Sequence, residues 1–279
     1  KRQDKISLDG GLIARGGSGI VIKGTMGHST TIALKVIQSQ IAGDMEELQS
    51  ELGMLYSLNH PNIVRFLGIT FHEGAILILQ EYCPKNLKEY IQEKGAFTKV
   101  NPFLKMIMTI VDTFIFLHEK NIAHRDLKPA NILLDEQDQP KVCDLGMAKW
   151  VGTDKEMSFR TDVNGAMGTP GYMPPEMIFI RKGEHYSPKA WDVFSMAMLI
   201  YFMWSGKHPL LEFEQGFAIN EEISKGTRPL LPTRMPSELR DIVRMMWAQK
   251  AHERLSMGEA FKLLNLSLIH ISEPTRPIH

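Results

Sequence analysis

The sequence contains little of what marks the more specialised classes of protein. Only two of its 279 residues are cysteines, Cys83 and Cys143. These are too few for a disulfide framework, so we expect a reducing compartment and a cytoplasmic location. Lys and Arg together number 32, as do Asp and Glu, and the formal net charge is +0. Nonspecific nucleic-acid binding depends on excess positive charge, and we therefore expect no nucleic-acid partner.

Long hydrophobic runs are also lacking. The longest apolar stretch, at 193–204, has 12 residues, whereas a membrane-spanning helix needs about 20. We therefore expect no membrane span and interpret this stretch as a buried helix. Hydrophobic residues make up 43% of the chain and charged residues 23%, which is typical of a globular domain with a sizeable core.

Hydrophobic periodicity predicts a small β-rich part that ends near residue 83. Short runs of β-branched and apolar residues, bounded by glycines, predict strands at 20–22, 31–37 and 75–79. Apolar residues recur every three or four positions over 44–58. That spacing indicates one helix with a single buried face.

The rest of the chain is predicted to be mainly helical, which makes the fold class α+β. Apolar segments predict helices at 102–119, 189–204 and 239–247, and a serine next to a proline precedes each of the last two, as at many helix starts. From Ser267 onward, two prolines and the lack of a helical period predict a frayed end. We expect residues 265–279 to form a tail outside the fold.

A glycine-rich segment leads into the first predicted strand. Its sequence is Ala14-Arg15-Gly16-Gly17-Ser18-Gly19. Glycines let a backbone approach phosphate oxygens closely and direct N–H groups at them. An ordinary β-hairpin has the same composition, so this segment alone does not decide between a nucleotide-binding loop and a simple turn.

Lys35 lies within the apolar strand predicted at 31–37. A buried lysine is costly unless its charge is paired. Glu51, on the helix predicted at 44–58, could supply the carboxylate. The alternative is an edge strand in which Lys35 faces water.

The segment 124–131 concentrates groups that can take part in catalysis. It contains a carboxylate at Asp126, a cation at Lys128 and an amide at Asn131, and a short apolar run follows it. Asp144 ends another short apolar run further along the chain. Two carboxylates and an amide near strand ends suit Mg²⁺, which prefers oxygen ligands. Taken alone, the tripeptide at 144–146 could also be an ordinary turn.

These segments, in this order, resemble the eukaryotic protein kinase domain. Residues 168–176 resemble the end of its activation segment, which forms a platform for the protein substrate. Asp192 resembles the aspartate that holds the catalytic-loop backbone, and Arg254 resembles the arginine that pairs with Glu176. So many motifs at compatible spacings make an accidental match very improbable.

The resemblance covers roughly residues 6–264 and implies a bilobal fold. The N-lobe would comprise 6–82 and the C-lobe 83–264. The implied activity is transfer of the γ-phosphate of MgATP to a hydroxyl group of a protein substrate.

The resemblance also assigns roles to individual residues. Asp126 would orient the acceptor hydroxyl, Lys128 would neutralise charge on the transferred phosphate, and Lys35, oriented by Glu51, would bind the α- and β-phosphates. Mg²⁺ would be held by Asn131 and Asp144. The residues implied around the rest of the nucleotide are Ala14, Gly16, Gly17, Gly19, Val21, Ala33, Glu81, Cys83 and Leu133.

Finer features favour one subgroup of the family. Lys128 and Thr169 are similar to serine/threonine kinases, whereas Asp-Leu-Gly at 144–146, Lys149-Trp150 and Pro-Pro-Glu-Met at 174–177 resemble the tyrosine-kinase-like branch. Within that branch the receptor-interacting kinases are the most similar.

Two alternatives to this activity stay open. One is a pseudokinase that signals through its conformation, and the other is an enzyme acting on tyrosine or on a small molecule. The intact set of Lys35, Asp126, Asn131 and Asp144 argues against the first. Lys128 and the complete segment 168–176 argue against the second.

The predicted partners are ATP, a protein with serine or threonine acceptors, and a second copy of the chain. Arg125 and Lys149 resemble a cation pair that receives a phosphate on the activation segment. The predicted acceptors are Thr153, Ser158 and Thr161, and a homodimer would allow one copy to phosphorylate the other.

Overall fold

The structure is a computed structural model that describes residues 6–8, 11–16, 19–37, 44–151, 168–178, 187–210 and 216–272. The chain divides into two compact units. The first contains Lys1–Asn86 together with Leu133–Gly146, and the second contains Leu87–Ile132 together with Met147–His279.

An antiparallel sheet dominates the first unit. Its strands follow the order β1-β3-β4-β6-β5, and β2 pairs with β3 outside that path. The strands are β1 (Ile6–Ser7), β2 (Leu12–Gly16), β3 (Gly19–Met26), β4 (Thr30–Ile37), β5 (Phe66–His72) and β6 (Ala75–Glu81). The structure confirms the strands predicted at 20–22, 31–37 and 75–79, and each strand is somewhat longer than predicted.

One face of this sheet forms an apolar core. Ile32 and Leu34 of β4 pack with Leu77 and Leu79 of β6, and all four are at least 96% buried. Because side chains alternate between the two faces of a strand, the residue after Leu34 lies on the opposite face. The predicted helix is also confirmed, as α1 (Asp44–Ser57).

The segment 133–146 belongs to the first unit. The sequence predicts instead that all of 83–264 forms one lobe. A three-stranded sheet in the order β10-β9-β7 contains β7 (Lys85–Asn86), β9 (Ile132–Leu134) and β10 (Pro140–Val142). The backbones of Asn62 and Val64 hydrogen-bond to Val142 at 2.8 and 2.9 Å. These long-range backbone bonds attach the segment to the first unit, and hydrophobic periodicity does not encode them.

Helices dominate the second unit, which also contains a strand pair, β8 (Ile122–Ala123) with β11 (Lys149–Trp150). The helices are α2 (Leu87–Lys94), α3 (Val100–Glu119), α4 (Pro175–Ile178), α5 (Pro188–Ser205), α6 (Gly216–Lys225), α7 (Ser237–Met246) and α8 (Met257–Ser272). The helices predicted at 102–119, 189–204 and 239–247 are therefore confirmed with small shifts of their ends.

Helix α5 lies at the centre of this unit and is buried along nearly its whole length. Pro188 occupies its first turn, where a missing N–H costs nothing. Gly206 ends the helix with a φ of 70° and donates its N–H to Phe202 O at 2.8 Å. A left-handed residue at this position favours glycine.

One described helix, α3, has the length and apolar composition that a membrane span would need. Half of its most apolar window is buried inside the fold, and it packs against α5 and α8. Length and composition alone do not separate a core helix from a span. The expectation that the chain has no membrane span stays a prediction.

The prediction of a frayed, non-helical end from Ser267 is wrong for residues 267–272, because α8 continues to Ser272. Ala260, Leu264 and Ser267 are all buried and lie on one helical face at spacings of four and three. Ser267 also donates its hydroxyl to Leu263 O at 3.1 Å. The prolines stand only at 274 and 277, so they do not interrupt the helix, and residues 273–279 lie outside the described part of the chain.

The predicted pairing of Glu176 with Arg254 is confirmed. Arg254 donates Nη1 to Glu176 Oε1 at 2.6 Å and Nη2 to Oε2 at 2.7 Å, and the two side chains are only 0% and 6% exposed. A buried bidentate pair is costly to break because the remaining charge stays desolvated.

We expect Glu176→Ala or Arg254→Ala to destabilise the protein by about 3–5 kcal/mol, and the double replacement to cost less than the sum of the two. Chemical denaturation of the four proteins of this mutant cycle measures both quantities. The matched control is the exposed pair of Asp241 and Arg244, whose side chains are 66% and 57% exposed. Removing Asp241 should cost less than about 1 kcal/mol. Strict additivity at Glu176 and Arg254 would contradict the coupling.

Candidate active site

A cluster of three charged side chains lies within the first unit. Lys35 Nζ lies 2.7 Å from Glu51 Oε1 and 3.3 Å from Asp144 Oδ1. Lys35 is on β4, on the face opposite Leu34, and Glu51 is on α1. The structure thus confirms the pairing of Lys35 with Glu51 and excludes an edge-strand lysine that faces water.

The charge of Lys35 is stabilised by its neighbours. Burial by itself lowers the pKa of Lys35, but the carboxylates of Asp144 and Glu51 outweigh it, and the pKa is raised above its ordinary value. Lys35 therefore stays positively charged at any physiological pH. One ammonium group thus bridges two carboxylates in this cluster.

Asp144 is held in an uncommon backbone conformation. Its φ is 61°, a left-handed value that costs a non-glycine residue about 1–3 kcal/mol. Gly146 follows closely, and a Cβ at that position would lie 3.4 Å from Asp144 Oδ1 and 3.7 Å from Lys35 Nζ. The backbone after β10 therefore runs directly against the charged cluster.

A second polar cluster lies within the second unit. Lys128 Nζ donates to Asp126 Oδ2 at 2.7 Å and to Thr169 Oγ1 at 2.9 Å. The hydroxyl of Thr169 in turn donates to Asp126 Oδ1 at 2.9 Å. Both oxygens of this buried carboxylate are therefore engaged, one by a cation and the other by an aliphatic hydroxyl group.

Asn131 completes the second cluster. Its amide nitrogen donates to Asp126 O at 2.8 Å and to Asp126 Oδ2 at 3.0 Å. Neither bond uses the amide oxygen, which is a ligand of the kind that Mg²⁺ prefers. Among the described side chains, no group of three or more His, Cys, Asp and Glu is arranged to hold a metal. The oxygens of Asn131 and Asp144 nonetheless fit the chemistry of the predicted ion.

Asp192 fixes the loop that carries Asp126. Its Oδ1 accepts the backbone N–H of Arg125 at 2.8 Å, and its Oδ2 accepts that of His124 at 2.9 Å. His118 Nε2 lies 2.8 Å from the same Oδ2. The role implied for Asp192 is confirmed. His118 was not predicted, because a histidine in the last turn of a helix is usually a surface residue.

The guanidinium group of Arg125 is buried beside this loop. Its Nε donates to Met147 O at 2.7 Å, and Nη1 has no hydrogen-bond partner among the described residues. Burial lowers the pKa of Arg125 to about 10, partly offset by Asp192. The predicted phosphate acceptors Thr153, Ser158 and Thr161 lie outside the described residues, so phosphorylation there stays a prediction.

The glycine-rich segment forms part of a β-hairpin. Ala14 and Gly16 of β2 lie opposite Val21 and Gly19 of β3. Gly19 has a φ of 112°, and a Cβ there would lie 3.1 Å from Val36 O, so glycine is required. Gly17 lies outside the described residues. A hairpin is thus established, and nucleotide binding by it stays a prediction.

The residues predicted around adenine all belong to the first unit, on two different sheets and on the segment after β6. Ala33 is opposite Gln80, Leu133 is opposite Asn86, and Cys83 follows β6. Burial, with a smaller contribution from Glu81, raises the pKa of Cys83 to about 12, so its thiol stays protonated.

The side chain of Glu81 has partners that were not predicted. It accepts the N–H of Arg65 at 2.7 Å and the ammonium group of Lys141 at 3.1 Å. The predicted contacts of its backbone and that of Cys83 with adenine stay predictions.

Comparison with known proteins identifies the family. The Protein kinase domain family matches residues 9–264. The chain belongs to this family. It is 32% identical over 199 residues to human mitogen-activated protein kinase kinase kinase 4, which covers 71% of this chain and 12% of that protein. Two Arabidopsis thaliana relatives each cover 90% of the chain. They are serine/threonine-protein kinase STY46, at 30% identity, and serine/threonine-protein kinase 12, at 31% identity.

This chain spans only part of the length of these relatives. It covers 42% of STY46 and 56% of serine/threonine-protein kinase 12. The match thus confirms the predicted family and its fold, and it concerns the kinase domain that these proteins share.

We expect Lys35→Met to weaken MgATP binding by roughly tenfold to a hundredfold, because it removes a charge-assisted contact worth about 1.5–3 kcal/mol. Isothermal titration calorimetry with MgATP measures the change. The control is Lys225→Met, which removes a lysine whose side chain is 56% exposed. Equal MgATP affinities for Lys35→Met and the original protein would remove Lys35 from the nucleotide site.

Proposed function

We propose that the chain is a serine/threonine protein kinase that transfers the γ-phosphate of MgATP to hydroxyl groups of proteins. The observation that carries this proposal is the cluster of Asp126, Lys128 and Thr169. The hydroxyl of Thr169 donates to the carboxylate and accepts from the ammonium group. A serine or threonine of a substrate presents the same hydroxyl chemistry.

Asp126 would act on the acceptor. Its carboxylate orients the substrate hydroxyl and accepts its proton as the new phosphate ester forms. Lys128, held 2.7 Å from Asp126, would neutralise negative charge on the phosphoryl group in transit. Asp192 holds this loop through two backbone N–H groups, so the acceptor groups are positioned before substrate binds.

Lys35 would act on the nucleotide. Its permanent positive charge binds the α- and β-phosphates, and its bond to Glu51 fixes the direction in which the ammonium group points. Asn131 and Asp144 would hold Mg²⁺, which when bound neutralises charge on the phosphates. The hairpin that contains Gly19 would cover the phosphates with its backbone.

We place the chain in the tyrosine-kinase-like branch, near the receptor-interacting kinases. Asp-Leu-Gly at 144–146 and Pro-Pro-Glu-Met at 174–177 support this placement. We further propose a role in cytoplasmic signalling, which the low cysteine content of two in 279 residues supports. Activation by phosphorylation between copies would make the rate per molecule rise with protein concentration, and a dilution series of the autophosphorylation rate tests this.

One assay separates the proposed activity from its alternatives. The protein is incubated with radiolabelled ATP, Mg²⁺ and myelin basic protein, and the product is analysed for phosphoamino acids. Phosphoserine or phosphothreonine supports the proposal. Phosphotyrosine would instead indicate a tyrosine kinase. A lack of transfer by protein that binds MgATP would indicate a pseudokinase or an enzyme that acts on a small molecule.

We expect Asp126→Asn to reduce kcat by about 10²–10⁴-fold while MgATP affinity changes little, because the amide cannot accept the proton. The assay above gives kcat, and calorimetry gives the affinity. Asp241→Asn, at an exposed position, is the matched control and should leave both unchanged. Comparable turnover by Asp126→Asn would remove this carboxylate from the mechanism.

We expect Asp144→Ala to reduce the stabilisation of the protein by MgATP. A ligand at about a hundred times its Kd stabilises by about 2.7 kcal/mol, and loss of a metal ligand lowers the affinity. Thermal melts with ATP and either Mg²⁺ or EDTA measure the change. If the mutant showed the same Mg²⁺-dependent rise in Tm, the assignment of Asp144 as a metal ligand would be wrong.

A further inference from the structure

His208 lies directly beneath the segment 168–176, which we call the platform segment. Its ring nitrogen Nδ1 lies 2.9 Å from Pro209 O. A carbonyl oxygen can only accept a hydrogen bond, so Nδ1 carries the proton.

The backbone of the platform segment rests on this ring. Gly171 has a φ of 84°, and a Cβ at that position would lie 2.7 Å from His208 Cε1 and 3.2 Å from Pro209 O. No side chain fits between them. The ring of Tyr172 meets the imidazole edge-to-face, with centroids 5.5 Å apart and an interplanar angle of 86°.

A short chain of contacts connects this support to Asp126. Tyr172 N donates to Thr169 O at 3.0 Å, and the hydroxyl of Thr169 donates to Asp126 Oδ1 at 2.9 Å. Gly171 and Thr169 are only two positions apart. A displacement of the platform backbone on His208 would therefore be transmitted to the hydroxyl group on the carboxylate.

The surroundings of His208 favour its neutral form. Burial lowers the pKa of His208, the carbonyls of Pro209 and Pro170 partly oppose this, and the positive charge of Lys88 on α2 adds to it. The titratable group that faces the ring from the platform segment is Tyr172, and burial raises the pKa of that phenol. Both groups are thus uncharged around neutral pH.

Linkage determines the effect of acid. Because the packed environment disfavours the protonated ring, protonation must disfavour the packed arrangement by the same free energy. The stabilisation is complete above the ordinary value of 6.5. It is lost as the pH falls below that value toward the lower pKa of the packed ring.

We propose that His208 is a positioning residue for the protein substrate, and that its neutral imidazole holds the platform segment in the arrangement that binds the acceptor. This inference rests on the proposed kinase function. Protonation of His208 loosens the platform segment, so the KM for the protein substrate rises in mild acid while the KM for ATP does not.

Two variants separate the functions of the ring. His208→Asn retains a donor for Pro209 O but loses the ring and its titration. His208→Phe retains an aromatic ring against Tyr172 but loses the donor and the titration. His72→Asn is the control, since the side chain of His72 is 52% exposed in the first unit.

The experiment measures kcat and both KM values from about pH 5.5 to 8, with myelin basic protein as substrate. For the original protein and His72→Asn, we expect the KM for myelin basic protein to rise by roughly three- to tenfold below pH 6.5, since each pH unit changes the protonated-to-neutral ratio tenfold. Both His208 variants should lose this rise relative to the original protein. His208→Asn should also have a higher KM for myelin basic protein at every pH.

Identical pH profiles in the original protein and both His208 variants would overturn the inference. So would equal changes in the two KM values, which would show a general loss of structure. Nuclear magnetic resonance of ¹⁵N-labelled imidazoles in the full chain provides a test that does not need activity. The inference requires a ring with Nδ1 protonated that titrates below its ordinary range, so an ordinary titration would overturn it even if no substrate is phosphorylated.

Discussion

The second unit is organised around one buried carboxylate, that of Asp192. It is 0% exposed and lies on the helix that forms the centre of the unit. A desolvated carboxylate is tolerated only where its oxygens are hydrogen-bonded, and here two backbone N–H groups and His118 meet that need. Arg125, with a left-handed φ of 64°, is thereby held in a conformation that it would seldom adopt in a free loop. Arg125, the residue before Asp126, thus has this conformation because the desolvated carboxylate of Asp192 needs hydrogen-bond donors.

The two charged clusters, that of Lys35 and that of Asp126, differ in the arrangement of their charges. In the first unit one cation, Lys35, is shared by two carboxylates. In the second unit one carboxylate, Asp126, is shared by a cation and a hydroxyl group. The carboxylate is thus partly neutralised, yet it stays able to accept a proton from a hydroxyl. The two clusters thus differ in which sign of charge is shared between partners.

The sequence predicted best what depends on local pattern and motif order. The structure confirms all three predicted strands and all four predicted helices. It also confirms the pairing of Lys35 with Glu51 and of Glu176 with Arg254. The attachment of 133–146 to the first unit was missed, because it depends on backbone bonds to Asn62 and Val64. The helical course of residues 267–272 was missed, because the prolines at 274 and 277 were given more weight than the buried face that continues to Ser267. His118 and His208 were missed, because contacts distant in sequence define both positions.

The platform segment is held at several points, and they differ in strength. Near its start, Thr169 bonds to Asp126 and Lys128, and toward its end Glu176 forms a buried ion pair with Arg254. In the middle, Ser195 of α5 donates its hydroxyl to Tyr172 O at 2.7 Å.

The end of the platform segment is further secured by the packing of Arg254. Its guanidinium group lies 5.1 Å from the centre of the Phe194 ring, and that of Arg228 lies 5.0 Å from the same ring. Burial and the charge of Arg254 lower the pKa of Arg228 to about 10, so Arg228 stays charged at neutral pH, and each guanidinium group contacts the aromatic ring. Loss of the His208 contact would then shift the middle of the platform segment without unfolding its ends, and this is why its protonation should change substrate affinity and leave the fold intact.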